Sequence, residues 1–126
     1  MKNVCIVDQA KYLTTLRDEL VEDYNLEVEL VDVEDSRHCP KRDRYDLLVI
    51  EPYFLYDYRV TKVVKTIETL IQQARENSSP IIALSSQDQE SLERHNIRLG
   101  VQYDFFLQKP ERTEVILKEI TSRLGI

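Results

Sequence analysis

Two short runs in which every residue is apolar, Leu47-Leu48-Val49-Ile50 and Ile81-Ile82-Ala83-Leu84, constrain the fold of this chain more than any other feature. A strand with one wet face alternates apolar and polar residues, whereas a strand covered on both faces needs apolar side chains pointing both ways. Uniform runs bounded by polar residues therefore predict central strands of a parallel sheet with helices on both sides. Between them Val60, Val63, Val64, Ile67, Leu70, Ile71 and Ala74 recur at spacings of three and four. That is the apolar stripe of a helix of about four turns, which Asn77-Ser78-Ser79-Pro80 ends.

The rest of the chain repeats this change of period. Val4 to Val7 is a short apolar run, and Leu13, Leu16, Leu20 and Tyr24 follow at helical spacing. Leu26, Val28 and Leu30 alternate with Glu27 and Glu29, which predicts a strand polar on one side, near a sheet edge. Residues 34–44 carry no stripe. Residues 88–99 form a helix with Leu92 and Leu99 inward, ended by Gly100. A last strand covers Asp104 to Gln108, and Val115, Ile116, Ile120 and Leu124 mark a closing helix after Pro110.

Five strands alternating with helical or loop segments, joined by right-handed crossovers, predict an α/β fold: a doubly wound, open parallel sheet in a three-layer α/β/α sandwich. Such sheets place their sites at the carboxyl ends of the strands, beside the point where strand order reverses. Asp8, Gln9, Glu51, Ser85, Ser86 and Lys109 stand there. Lys109, at the end of the last strand, is expected to contact Asp8 or Glu51.

Composition excludes several classes. The 126 residues, 42% hydrophobic, suit one domain over 1–126 with a core that needs no disulfide or metal. No apolar run approaches the roughly 20 residues of a membrane span, and the opening Met-Lys-Asn-Val-Cys leads straight into a strand, so neither a span nor a signal peptide is expected. Cys5 and Cys39 form no metal-ligand or CxxC spacing, which fits free thiols in a reducing cytoplasm. A net charge of -6 argues against direct nucleic-acid binding. The basic stretch Arg37-His38-Cys39-Pro40-Lys41-Arg42-Asp43-Arg44 is either a solvated loop or a surface for an acidic partner. Neither His38 nor His95 stands beside a nucleophile at a strand end, so no enzyme activity is expected.

In order and spacing, four segments resemble the response-regulator receiver domain of two-component signalling, the CheY-like family, over essentially the whole chain. Val4-Cys5-Ile6-Val7-Asp8 looks like the first strand with its acidic end, and Tyr45-Asp46-Leu47-Leu48-Val49-Ile50-Glu51 like the strand that carries the phosphoacceptor. Pro80-Ile81-Ile82-Ala83-Leu84-Ser85 is similar to the strand ending in the switch Ser or Thr. Phe106-Leu107-Gln108-Lys109-Pro110 resembles the segment with the aromatic switch and the Lys-Pro pair. The resemblance implies a flavodoxin-like five-stranded sheet in the order 2-1-3-4-5, Glu51 in the phosphoacceptor place, Asp8 and Gln9 in the acidic pocket, Ser85 and Phe106 as the switch pair, and Lys109 as the family lysine.

The departures are as informative. Gln9 replaces the second acid, Glu51 replaces Asp, and the usual Met-Pro and Asp-Gly of the next loop give way to Pro52-Tyr53-Phe54-Leu55-Tyr56-Asp57-Tyr58. Two residues are inserted between Gly100 and the last strand. Phosphoryl transfer to a carboxylate relies on Mg2+, which demands near-octahedral oxygen ligands at about 2.0 to 2.1 Å. No cofactor is expected, with Mg2+ binding at Asp8 and Glu51 weak or lost. Glu51 is then either a fixed negative charge that partly imitates a phosphorylated Asp or a remnant paired with Lys109. Tyr53, Phe54, Tyr56 and Tyr58 form either an interaction loop or a cap on the core.

The expected function is an atypical, pseudo-receiver module of signal transduction that works without phosphorylation. The alternatives are a phosphoacceptor still modified by a histidine kinase at Glu51 or Asp8, and a flavodoxin-like nucleotide binder. The last is disfavoured because Asp8-Gln9-Ala10-Lys11 offers no glycine and no hydroxyl cradle. Expected partners are proteins, a histidine kinase or an output protein, with a possible homodimer through the 88–99 helix, the last strand and the closing helix. Glu90, Arg94, Glu114 and Lys118 supply both signs of charge on that face.

Overall fold

In a computed structural model that describes residues 2–35, 37, 39–55, 63–99 and 103–126, ten elements follow one another. They are β1 (Asn3–Asp8), α1 (Ala10–Tyr24), β2 (Glu27–Asp32), β3 (Leu47–Ile50), a 3₁₀ turn (Pro52–Leu55), α2 (Val64–Glu76), β4 (Ile81–Ser85), α3 (Gln89–Leu99), β5 (Phe105–Gln108) and α4 (Thr113–Leu124). The five strands form one parallel sheet in the order β2-β1-β3-β4-β5. This is the expected doubly wound flavodoxin-like fold, and its strand order reverses between β1 and β3.

The uniform runs divide their side chains between two cores. Leu48 and Ile50 of β3 face α2 and join Cys5, Val7, Ile67, Leu70 and Ile71. Leu47 and Val49 face α1 and α4 with Ile6, Leu16, Leu20, Ile82 and Ile120. Complete burial of such a side chain is worth roughly 1.5 to 3 kcal/mol, so the central strands anchor the fold. Two aspartates just before strands tie neighbouring strand starts together. Asp46 Oδ2 accepts the N–H of Asn3 at 2.8 Å and Asp104 Oδ2 accepts that of Ile81 at 2.7 Å.

Helix ends follow backbone chemistry. Asn25 closes α1 in the left-handed region, φ 54°, with its N–H on the carbonyl of Leu20, and Gly125 closes α4 at φ 74°. Two stripes differ from the sequence reading. Tyr24 of α1 and Val115 of α4 are exposed, and in α4 Leu117 and Thr121 fill inward places beside Ile116, Ile120 and Leu124. Helical periodicity alone leaves the edge of a stripe uncertain by one residue, and the sheet decides which edge is covered. The sequence stripe for α2 starts earlier, at Val60, and the sequence reading ends the separate helix α3 at Gly100. Residues 60–62, Gly100 and residues 101–102 of the stretch read as carrying the two-residue insertion lie outside the described residues, and so does the side chain of Leu99.

Among the described residues no helix joins β2 to β3. The described residues of 33–46 run as turns and irregular chain, as expected of a segment without a stripe. Its ring Tyr45 is buried against the α2-side core, and its carbonyl accepts the hydroxyl of Ser79 at 2.7 Å. The basic stretch finds acids inside the same chain. Arg42 pairs with Glu27, the N–H of Lys41 bonds the Glu29 carboxylate, and the Tyr45 hydroxyl donates to Glu29. His38 lies outside the described residues.

Candidate functional site

The parallel register brings the last residues of β1, β3, β4 and β5 to one rim. The N–H of Glu51 donates to the carbonyl of Val7 at 3.2 Å, and that of Lys109 to the carbonyl of Ser85 at 2.8 Å. Each bond extends a strand ladder by one residue, which places the two side chains against Asp8. Asp8, Glu51 and Ser85 are all buried.

Two charged groups dominate this rim. The Lys109 ammonium lies 2.5 Å from Asp8 Oδ2, with side chains only 10% and 4% exposed. The other oxygen, Oδ1, accepts the N–H of Gln9 at 2.7 Å. Glu51, 2% exposed, turns its Oε1 toward Ser86 and accepts both the N–H, at 3.1 Å, and the hydroxyl, at 3.3 Å. Its Oε2 is buried without a hydrogen bond of ordinary geometry among the described residues.

Burial pushes the Glu51 carboxyl above the usual carboxylate range. The hydroxyl of Ser85, the N–H of Ser86 and the charge of Lys109 hold it partly down, and the negative charge of Asp8 works the other way. Lys109 thus pairs directly with Asp8 and acts on Glu51 as a neighbouring charge. Burial therefore makes a negative charge on Glu51 costlier than in water, at the position where a constant negative charge is one of the two readings.

The other site residues fall into distinct places. Gln9 points away from the pocket, and its Nε2 donates to Glu34 at 3.2 Å. The Ser85 oxygen accepts the N–H of Gln87 at 3.1 Å, the ordinary duty of a hydroxyl at a strand end, which leaves its proton to turn toward Glu51. Phe106 is half-buried, its ring centroid 6.1 Å from that of Tyr103, whose hydroxyl donates to Glu93 of α3. In the aromatic loop Phe54 is buried in the α2-side core and Tyr53 packs half-buried beside it, ring edge to ring face. Phe54 therefore caps the core, and Tyr53 packs on it with part of its ring exposed. Tyr56 and Tyr58 lie outside the described residues.

Ser86 is the partner whose role the sequence did not assign. Its signal is the doubled serine after β4: the first hydroxyl closes the strand and the second, one residue beyond, reaches across to β3. Tyr45 also escaped notice, because an aromatic residue in a segment without periodicity carries no stripe to place it.

No protein-family model and no curated protein matches this chain. Solved structures match over nearly its full length. The non-phosphorylated receiver domain of HemR from Leptospira biflexa superposes with a TM-score of 0.66 at 19% identity, covering 100% of this chain and 96% of that one. The chemotaxis protein CheY4 of Vibrio cholerae gives 0.65 at 20% identity, over 97% and 98% of the two chains. The chain has the receiver fold. A third such fold, the receiver domain of sensor histidine kinase PA1611 from Pseudomonas aeruginosa, holds a magnesium ion in its active-site cleft and gives a TM-score of 0.60 at 17% identity over 99% and 98%.

In the present chain the polar groups at the corresponding rim have protein partners. Asp8 has one oxygen on an ammonium and the other on a backbone N–H, Gln9 is neutral and turned to Glu34, and Glu51 Oε1 is committed to Ser86. Glu51 Oε2 is the carboxylate oxygen of Asp8 and Glu51 that has no hydrogen bond of ordinary geometry among the described residues, and Mg2+ bound at this rim would take its other oxygen ligands from water.

Proposed function

We propose that this chain, read as one domain over 1–126, is a receiver-like module of two-component signalling that works through protein contacts without phosphorylation or Mg2+. The observation that carries this reading is the buried rim. The carboxylate in the phosphoacceptor place is engaged by Ser86, the pocket's lysine is bound to Asp8, and the second acid is Gln9. An arriving phosphoryl group would need Glu51 to leave Ser86 and a counter-ion to neutralise three oxygens, and the pocket supplies neither step. Because Glu51 Oε1 is held by Ser86 and the pocket's lysine is bound to Asp8, we read Glu51 as a structural remnant instead of a standing imitation of phosphate.

The partner in this reading is a histidine kinase or an output protein in the cytoplasm, met through the face of α3, β5 and α4. There Tyr103 and Phe106 are half-buried and both signs of charge are present, which also suits a two-fold homodimer. The test is intact-mass spectrometry after incubation with acetyl phosphate and millimolar Mg2+, with an unmodified mass expected. A gain of one phosphate that disappears in Glu51→Ala or Asp8→Ala would instead establish the phosphoacceptor alternative.

A further inference from the structure

We propose that the outer edge of β2 is a docking site for an extended peptide that alternates basic and apolar residues, added to the sheet as a sixth strand. The proposal is independent of the reading of the Glu51 pocket. β2 is the terminal strand, and its ladder to β1 uses Glu27, Glu29 and Val31, as the bonds from Glu27 N–H to the Lys2 carbonyl and from Val33 N–H to the Asp8 carbonyl show. By the alternation of a parallel ladder, the N–H and C=O groups of Val28 and Leu30 point outward. Among the described residues nothing pairs with them across that edge, and no helix joins β2 to β3 to cover it.

The two faces beside this edge differ in chemistry. On one, Val28 and Leu30 are half-buried against the α1-side core. On the other, Glu27 and Glu29 border a cleft of about 480 Å3 also lined by Asn3, Lys41, Arg42 and Tyr45. This cleft already binds one cation from its own chain, since the Arg42 guanidinium reaches Glu27, while Glu29 accepts the backbone N–H of Lys41 and the hydroxyl of Tyr45. Arg42 is therefore an internal stand-in that shows what the cleft recognises, and the cleft is far larger than one guanidinium. A second copy of β2 is a poor occupant, because its own Glu27, Glu29 and Asp32 would bring carboxylates against carboxylates. An added strand with arginine toward Glu27 and Glu29, and valine toward Val28 and Leu30, matches both faces and uses the outward backbone groups.

The probe is an N-acetylated, C-amidated heptapeptide of alternating arginine and valine, titrated against the full chain at physiological salt. Expected are saturable binding, slowed amide exchange at Val28 and Leu30 with little change at Val31, and tighter binding in Arg42→Ala, which frees Glu27. Val28→Pro deletes one outward N–H at a place where an edge strand tolerates proline, and should weaken binding by about tenfold, or 1.4 kcal/mol, while leaving the circular dichroism spectrum unchanged. The proposal is overturned if no binding occurs, if the Val28 and Leu30 amides gain no protection, if the Val28→Pro chain folds and binds equally well, or if a glutamate-valine peptide binds as tightly.

Discussion

Removing the positive charge from the rim tests the electrostatic account most directly. In Lys109→Met a buried ion pair, with side chains only 10% and 4% exposed, loses its cation while Asp8 stays in place. Breaking such a pair from one side costs about 3 to 5 kcal/mol, because the remaining charge is left uncompensated. Against the roughly 5 to 15 kcal/mol that holds a domain folded, this leaves a folded but weakened protein, with a melting temperature lower by about 10 to 20 °C. The pH dependence has a definite sign. Lys109 holds the Glu51 carboxyl partly down, so its loss raises a folded-state value that already exceeds the unfolded one. A group shifted upward destabilises the fold fully above its folded value and not at all below its unfolded one, so the deficit should be largest near neutrality and shrink toward acid pH. Urea denaturation of both proteins between pH 4 and 8 measures it, and Asp8→Asn in the same background should recover most of the loss. A midpoint that tracks the parent protein across that range, or no recovery in the double variant, refutes the assignment of Lys109 as counter-charge.

Three further outcomes follow from named contacts. Glu51→Gln should be more stable than the parent at pH 8, with the advantage fading as pH falls toward the ordinary carboxylate range, since the parent's buried carboxyl has its folded value raised; denaturant midpoints at several pH values check this, and a pH-independent difference contradicts it. Ile67→Ala, at a fully buried position of α2, should cost about 2 to 5 kcal/mol in calorimetric or denaturant unfolding. Asp104→Ala removes the carboxylate acceptor of the Ile81 N–H and should cost about 1.5 to 3 kcal/mol, with faster amide exchange at Ile81 before any other residue of β4.

Much of this architecture was legible one residue at a time. The uniform runs at β3 and β4 name central strands because burial on both faces leaves no place for a polar side chain, and both are fully buried. The alternation at Glu27 to Leu30 named an edge strand for the converse reason. Tyr24 and Val115 were misplaced because each sits where a helical stripe ends, and only the width of the sheet beneath decides coverage. Phe54 is similar: its aromatic neighbourhood reads as a surface or as a cap, and its burial against Val63 and Ile67 is a tertiary matter.

The sequence by itself determined the layered α/β architecture and the set of polar residues that a parallel sheet delivers to one rim, since period and strand ends are local properties of the chain. Which of those residues engage was decided by distance in space. Lys109 and Asp8, 101 positions apart, meet as a buried pair; Glu51 turns to Ser86, 35 positions away; and Gln9 turns outward to Glu34. Likewise nothing in the sequence marks that Arg42 of the basic stretch pairs with Glu27 or that the backbone N–H of Lys41 bonds Glu29. A hydrogen bond or ion pair depends on position to within a fraction of an ångström, and that precision arises only when strands with no sequence proximity are packed side by side.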